Sequence, residues 1–265
     1  MFSTGICRDT HAAGTYIGTD LMQQLEIHSL KPNEIDAGIA VLAIHDLKGA
    51  IHAIQGFLSV LRSEQAGPLT AIQHDFVASA FITSRRIERL VDDLQVLGTN
   101  TGTLSLIPEN CNLQSIIEMC VRELTPTAVG FQVQVDIRGD PEGSWTLVAD
   151  TVRIEQIAFN LIENAIRYAD VDSTVVVRLR KSLRQLLLVV ENQCAASATS
   201  EPEQWFQPFQ RSEYAVQTGR RGLGIGLTVV QTLTAAHSGS VYSRVRGTTV
   251  SFAVRLPRRM VNQES

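Results

Sequence analysis

Several things are scarce in this sequence, and each shortage closes off a class of protein. Its apolar runs are short, "LLLVV" at 186–190 among them, where a membrane-spanning helix needs ~20 consecutive apolar residues. The opening stretch, "MFSTGICRDTHAAGTY", has neither the basic start nor the apolar core of a signal peptide. Basic charge is not in excess: 23 Lys and Arg face 27 Asp and Glu, for a net charge of −4. No basic run is interleaved with aromatics, which argues against non-specific nucleic-acid binding. Cysteines number four (Cys7, Cys111, Cys120, Cys194) and form no Cys-x-x-Cys pair. Cys7 and His11 are four apart, but nothing nearby completes a metal set, so reduced, unlinked thiols are expected. There is no internal repeat and no low-complexity tract. What remains is a globular cytoplasmic protein, 44% hydrophobic and 19% charged, with no span of its own. A membrane signal would have to reach it through a partner, such as an upstream sensor protein.

The 265 residues suffice for two ordinary domains. Residues 1–34 show weak periodicity and read as an N-terminal arm ended by the break at Pro32-Asn33. Residues 35–102 read as a helical hairpin. Ile44, Leu47, Ile51, Ile54, Leu58 and Leu61 are spaced alternately three and four apart, a heptad seam. "EQAGPL" at 64–69 supplies a turn, and Ile72, Phe76, Ala80, Thr83, Ile87, Leu90, Leu94 and Leu97 continue the alternation. The apolar face left over (Leu42, Ala43, Ala50, Phe57, Phe81, Ile82) favours a homodimer with a four-helix bundle. "LGTNTG" at 97–102 closes the hairpin.

Residues 103–258 have a mixed pattern, and 259–265 form a short tail. "FQVQVDI" (131–137) alternates as a strand does. "VADTVRIEQIAFNLIENAIRYA" (148–169) is a helix with Asp150 or Thr151 as its N-cap. "STVVVRLRKSLRQLLLVVEN" (173–192) reads as two strands about a turn. "GIGLTVVQTLTAAHSG" (224–239) is a helix that Gly239 terminates, and 240–257 is a final strand pair. This order predicts an α+β chain whose second domain is an α/β sandwich with helices on one face of a mixed sheet.

Two constellations carry chemistry. In "GLGIGL" (222–227) three glycines at alternate positions open a helix, where backbone amides can approach a phosphate. The spacing fits neither the dinucleotide fingerprint nor a P-loop. In "NLIENAIRY" (160–168), Asn160 and Asn164 are four apart on one helix face, and Arg167 joins them. Two amides and a guanidinium suit hydrated Mg²⁺ and a polyphosphate. Glu163, adjacent to Asn164, is expected to face elsewhere.

Together these stretches resemble the sensor histidine kinases, whose ATP-binding domain has the Bergerat (GHKL-type) fold. "DTVRIEQIAFNLIENAIRYA" is similar to their N box, "EQWFQPFQRSE" (203–213) to their F box and "GLGIGLTVV" to their G2 box. The hairpin with "HDLK" at 45–48 is similar to their dimerisation and phosphotransfer domain. The resemblance spans roughly residues 36–257. It implies ATP and Mg²⁺ as cofactors, with Asn164 as metal ligand and Asn160 helping to place phosphates and metal. It also implies Arg167 at the phosphates, Tyr168 near the adenine, and Gly222, Leu223, Gly224 and Gly226 around the triphosphate. The stretch 212–221, with Arg220 and Arg221, would be a mobile lid. Hydrolysing relatives carry a glutamate where this chain has Asn160. An amide is no general base, which fits transfer to a side chain better than hydrolysis.

His45 and His52 both fall one step off the seam, on the solvent side. Neutral imidazole is nucleophilic near pH 7, and a phosphoacceptor must be exposed. Only His45 is followed by the acid-Leu-basic pattern of the resemblance, which implies His45 as phosphoacceptor, Asp46 as its proton acceptor and Lys48 steadying the phosphate. The phosphoryl group would pass to an aspartate of a response regulator receiver domain. Two departures stand out. Where the family's G1 box has Asp-x-Gly-x-Gly, this chain has Asn192, Cys194 and Ala196. Asn192 can still accept from an adenine amino group, while Cys194 and Ala196 add side chains near the nucleotide. Four residues after His45, Gly49 replaces the usual Thr or Asn, and Ala50 follows in place of Pro, so weak regulator phosphatase activity is expected. The alternative reading is a phosphotransfer or scaffold protein of the same fold that relays phosphate without using ATP.

Overall fold

A computed structural model of the chain describes residues 32–98, 104–139, 143–195, 202–210 and 223–259. The expectations about the arm before residue 32, Cys7, His11, Gly222, Ala196, Arg220 and Arg221 lie outside those residues. The chain forms two compact units, parting between Arg85 and Arg86.

Two helices, α1 (Pro32–Arg62) and α2 (Ala71–Gly98), are joined by residues 63–70. Helix α1 starts at Pro32, at the expected break itself and three residues before the expected start of the hairpin. Proline is favoured at a first helical position, where its missing N–H would go unpaired anyway. The turn has its own chemistry. Glu64 (φ 56°) and Gly67 (φ 117°) reverse the chain, and the Glu64 carboxylate pairs with His74 Nε2 at 2.9 Å. Thr70 then caps α2 reciprocally: its N–H donates to Gln73 Oε1 at 2.8 Å, and Gln73 N–H donates to Thr70 Oγ1 at 3.3 Å. Arg62 stacks over the Phe81 ring, 4.4 Å from its centroid, and ties the two helices across the turn.

The structure splits the expected α1 seam. Ile51 is buried and Ile44, Leu58 and Leu61 half-buried, whereas Leu47 and Ile54 are exposed along with Phe57 and Val60. On the first turns of α2, Ile72, Phe76 and Ile82 are likewise exposed. A 3–4 alternation marks an apolar side of a helix but not which of two adjacent stripes packs within the chain.

The second unit holds the last turns of α2 and an α/β sandwich. Its elements are β1 (Glu109–Asn112), α3 (Leu113–Gly130), β2 (Gln134–Arg138), β3 (Thr146–Ala149), α4 (Thr151–Tyr168), β4 (Thr174–Lys181) and β5 (Gln185–Gln193). A 3₁₀ turn (Pro202–Phe206), α5 (Gly226–Ala236), β6 (Ser240–Arg246) and β7 (Thr249–Pro257) follow. Five strands form one sheet in the order β2-β4-β5-β7-β6, with β2 and β4 parallel and the other pairs antiparallel. The short strands β1 and β3 make a separate antiparallel pair. Alternate residues of β4 (Val175, Val177, Leu179), β5 (Leu186, Leu188, Val190) and β7 (Val250, Phe252, Val254, Leu256) point inward. They meet Ile116, Ile117 and Leu124 of α3, Ile157, Leu161 and Ile162 of α4, and Val229, Val230 and Leu233 of α5. This apolar layer is the core, and burial of such side chains at ~1.5–3 kcal/mol each is what holds the sandwich together.

Two features place α4 and α5. Asp150 is the N-cap of α4: its carboxylate accepts from Arg153 N–H at 3.1 Å and from Ile107 N–H at 3.0 Å. Its own N–H donates to Nε2 of His237, the residue that ends α5, at 3.2 Å. His237 is 1% exposed and donates Nδ1–H to Leu233 O at 2.8 Å, so it is held as the neutral tautomer. Burial pushes its pKa down. The end of α5 is thereby pinned to the start of α4. At this end Ser238 (φ 54°) adopts the left-handed conformation expected of Gly239. Gly239 is needed for another reason: a Cβ there would lie 2.5 Å from Arg255 O.

Candidate functional site

Helix α4 presents the asparagine pair. Asn160 and Asn164 are both half-buried, one turn apart. The start of α5 approaches the first of them: a Cβ built on Gly226 would lie 3.3 Å from Asn160 Oδ1. The two stretches singled out in the sequence, 66 residues apart between Asn160 and Gly226, therefore meet. Just ahead of α5, Gly224 has φ +72°, a backbone that glycine adopts without strain, and its carbonyl accepts from Phe209 N–H at 2.9 Å. That bond anchors the F-box segment, whose Trp205 and Phe206 pack on Phe252 with ring centroids 5.7 and 6.2 Å apart. Leu223 is half exposed.

The remaining nucleotide candidates differ in how they are held. Asn164 makes no side-chain hydrogen bond among the described residues, which leaves its amide oxygen available to a ligand. Arg167 is engaged: Nη2 donates to Glu163 Oε1 at 2.5 Å across one turn. Glu163, expected to face elsewhere, thus reaches the same side as Arg167. Tyr168 is half-buried at the last turn. Asn192 is 3% exposed on the inward side of β5, and its Nδ2 has no hydrogen-bond partner among the described residues. Cys194, expected to crowd the nucleotide, turns its side chain into the apolar core.

The sequence reading missed one group at this site. Asp93, in the last turns of α2, is 6% exposed and accepts from Gln156 Nε2 at 2.7 Å and from Asn160 Nδ2 at 3.2 Å. Burial pushes its pKa up to about 6, against those two hydrogen bonds, and the neighbouring charges of Asp92 and Glu163 add to the rise. With Nδ2 committed to Asp93, Asn160 turns its oxygen toward Gly226. Nearby, Arg89 lies over the Phe159 ring at 3.8 Å and pairs with Glu123. These turns of α2 bury Val91, Asp93 and Val96, while the expected seam residues Ile87 and Leu94 are exposed. The signal was an acid lodged between Leu90 and Leu97, three and four residues away on the apolar side.

In the first unit, His45 and Asp46 are exposed, with side chains 86% and 87% accessible, and His45 Nδ1 lies 3.6 Å from Asp46 Oδ1. Lys48 is half-buried. A Cβ at Gly49 would meet nothing within 4 Å.

Residues 149–259 match the family of histidine kinase-, DNA gyrase B- and HSP90-like ATPases. Curated relatives include the bacteriophytochrome of Pseudomonas aeruginosa, 27% identical over 93% of this chain and 33% of that protein. The sensor protein VanSC of Enterococcus gallinarum is 24% identical over 83% of this chain and 60% of its own. The chain thus spans from a third to three-fifths of the length of these two relatives. Among solved structures, full-length ShkA in complex with AMPPNP superposes with a TM-score of 0.58 at 20% identity, over 84% of this chain and 46% of that one. That likeness is one of fold. The second unit has an α+β fold like that of GHKL-type ATP-binding domains, and the chain resembles the sensor histidine kinases. No helix among the described residues is long and apolar enough to cross a membrane.

Proposed function

We propose that this chain is the kinase core of a two-component signalling protein, which phosphorylates His45 from Mg-ATP and passes the phosphoryl group to an aspartate of a response regulator receiver domain. The observation that carries the reading is the meeting of Asn160 with the glycine-opened start of α5, in a chain that also exposes His45. The residues fit the nucleotide. A side chain at 226 would press on Asn160, so the missing Cβ keeps the approach open. Asn164 has an uncommitted amide oxygen, a hard donor suited to Mg²⁺, and the buried Nδ2 of Asn192 lacks an acceptor. Gly222, Leu223 and Gly224 would line the triphosphate, Tyr168 the base, and Arg167 the phosphates once it exchanges Glu163 for them. The metal supplies charge neutralisation at the phosphates.

His45 Nε2 attacks the γ-phosphorus in line, its bond to the bridging oxygen breaks, and ADP leaves. Nδ1 faces Asp46, so the Nδ1 proton passes to that carboxylate as the imidazole gains phosphate. Lys48 steadies the incoming phosphoryl group. Asn160 offers no base for water, which favours transfer over hydrolysis. The exposed apolar stripe of Leu47, Ile54, Phe57, Phe76 and Ile82 suits a homodimeric four-helix bundle. The test is incubation with γ-labelled ATP and Mg²⁺ beside His45→Ala. Acid-labile label that disappears in the variant is the expected result. Label retained in the variant removes His45 from its role, and no label with no nucleotide binding overturns the kinase reading in favour of an ATP-independent phosphorelay protein.

A further inference from the structure

Asn192 is buried on the inward face of β5 between Val190 and Cys194, with Val250 as its partner on β7. Its surroundings along the strand are apolar, yet among the described residues its Nδ2 has no acceptor. An unpaired buried donor costs about 1–3 kcal/mol, so filling space alone would favour an apolar side chain here. The position points to a ligand. The end of β5 abuts the end of α4: Asp170 N–H donates to Gln193 O at 2.8 Å, and Ala195 N–H donates to the Asp170 carboxylate at 3.0 Å. Asn192 therefore lies next in sequence to a residue bonded to Asp170, two positions past the end of α4 at Tyr168.

The chemistry of the amide decides what it can read. A 6-aminopurine presents a donor at N6 and an acceptor at N1. A 6-oxopurine presents the reverse, an acceptor at O6 and a donor at N1. The amide carries one donor and one acceptor side by side, and a half-turn about its last torsion exchanges them. Asn192 can thus make two hydrogen bonds to either edge. A carboxylate in the same place is acceptor-only and would oppose O6.

We propose that Asn192 lets the nucleotide site take 6-oxopurine nucleoside triphosphates as well as ATP. The inference rests on the reading of that site as nucleotide-binding. The experiment is calorimetric titration of the full chain, its Asn192→Asp variant and its Asn192→Leu variant with Mg-ATP and Mg-ITP; inosine lacks the 2-amino group and isolates the N1/O6 edge. The wild-type dissociation constants are expected to agree within about tenfold, and Asn192→Asp to widen the gap against ITP by about tenfold or more, the range of one matched edge contact. Asn192→Leu should weaken both nucleotides by a similar factor. ATP binding with ITP weaker by more than about a hundredfold, or a ratio unmoved by Asn192→Asp, overturns this inference alone. Binding of neither nucleotide overturns the nucleotide site itself. Should the buried carboxylate prevent folding, as judged by circular dichroism, the wild-type ratio decides.

Discussion

The substitution Asp93→Asn should stabilise the protein at neutral pH, although it removes a charge that two amides solvate. The carboxyl pKa rises from 3.8 to about 6 on folding. At ~1.4 kcal/mol per unit, an ionised Asp93 opposes folding by about 3 kcal/mol. The sign follows from proton binding: the folded state holds the Asp93 proton more tightly than the unfolded one. The penalty is thus complete above about pH 6 and fades between pH 6 and 3.8. The Asp93→Asn side chain keeps an oxygen for Gln156 and Asn160 and never ionises. Urea unfolding followed by circular dichroism at pH 7.5 and pH 4 is the assay. The variant should be more stable by up to about 3 kcal/mol at the higher pH and nearly equal at the lower. A destabilised variant at pH 7.5, or a difference that does not shrink with acid, would refute the assignment of burial as the dominant influence. Since protonation of Asp93 removes the penalty, protection factors of α2 and α4 amides, corrected for the intrinsic exchange rate, should rise as the pH is lowered from 7.5 to 5.

Two further substitutions test other parts of the structure. Gly239→Ala places a Cβ 2.5 Å from Arg255 O, and the backbone shift it forces should lower stability by about 1–3 kcal/mol; an unchanged urea midpoint would show that the close approach is not real. Gly49→Thr meets no steric obstacle and should slightly favour the helix. It is expected to raise dephosphorylation of a receiver domain that the chain phosphorylates, measured as loss of label, and no gain would count against the expectation that Gly49 leaves phosphatase activity weak.

The parts legible in the sequence are those whose signal is local. Asp150, the apolar period behind it and the asparagine pair define α4 without tertiary information, and β4 and β5 announce themselves by alternation about a turn. Helix α3 is not legible. Its buried positions, Ile116, Ile117, Cys120, Leu124 and Ala128, are diluted by Thr125 and Thr127, and Pro126 interrupts it where proline normally breaks a helix. Strands β1 and β3, four residues each, are too short for alternation to register. At the site, the asparagines and glycines are readable because their spacing encodes their geometry. Asp93 is not, because its partners lie 63 and 67 residues away, and a carboxylate on an apolar stripe gains meaning only when something is packed against it. Ser238 and Gly239 show a similar limit: either residue can end a helix, and the carbonyl of Arg255 settles which must be glycine.

The bond between Asp150 and His237 has a mechanical meaning. It joins the start of α4 to the end of α5, while Asn160, midway along α4, faces Gly226 at the start of α5. Ten residues separate Asp150 from Asn160 and eleven separate Gly226 from His237, so each arm is ~15 Å long at 1.5 Å per residue. The two arms are of similar length and are tied at one point by a buried, uncharged imidazole. By lever geometry, a rotation of about 4° at that contact would move Asn160 relative to Gly226 by ~1 Å over arms of this length. The packing of His237, about 15 Å along the helices from Asn160 and Gly226, is therefore expected to bear on how finely those two residues are placed.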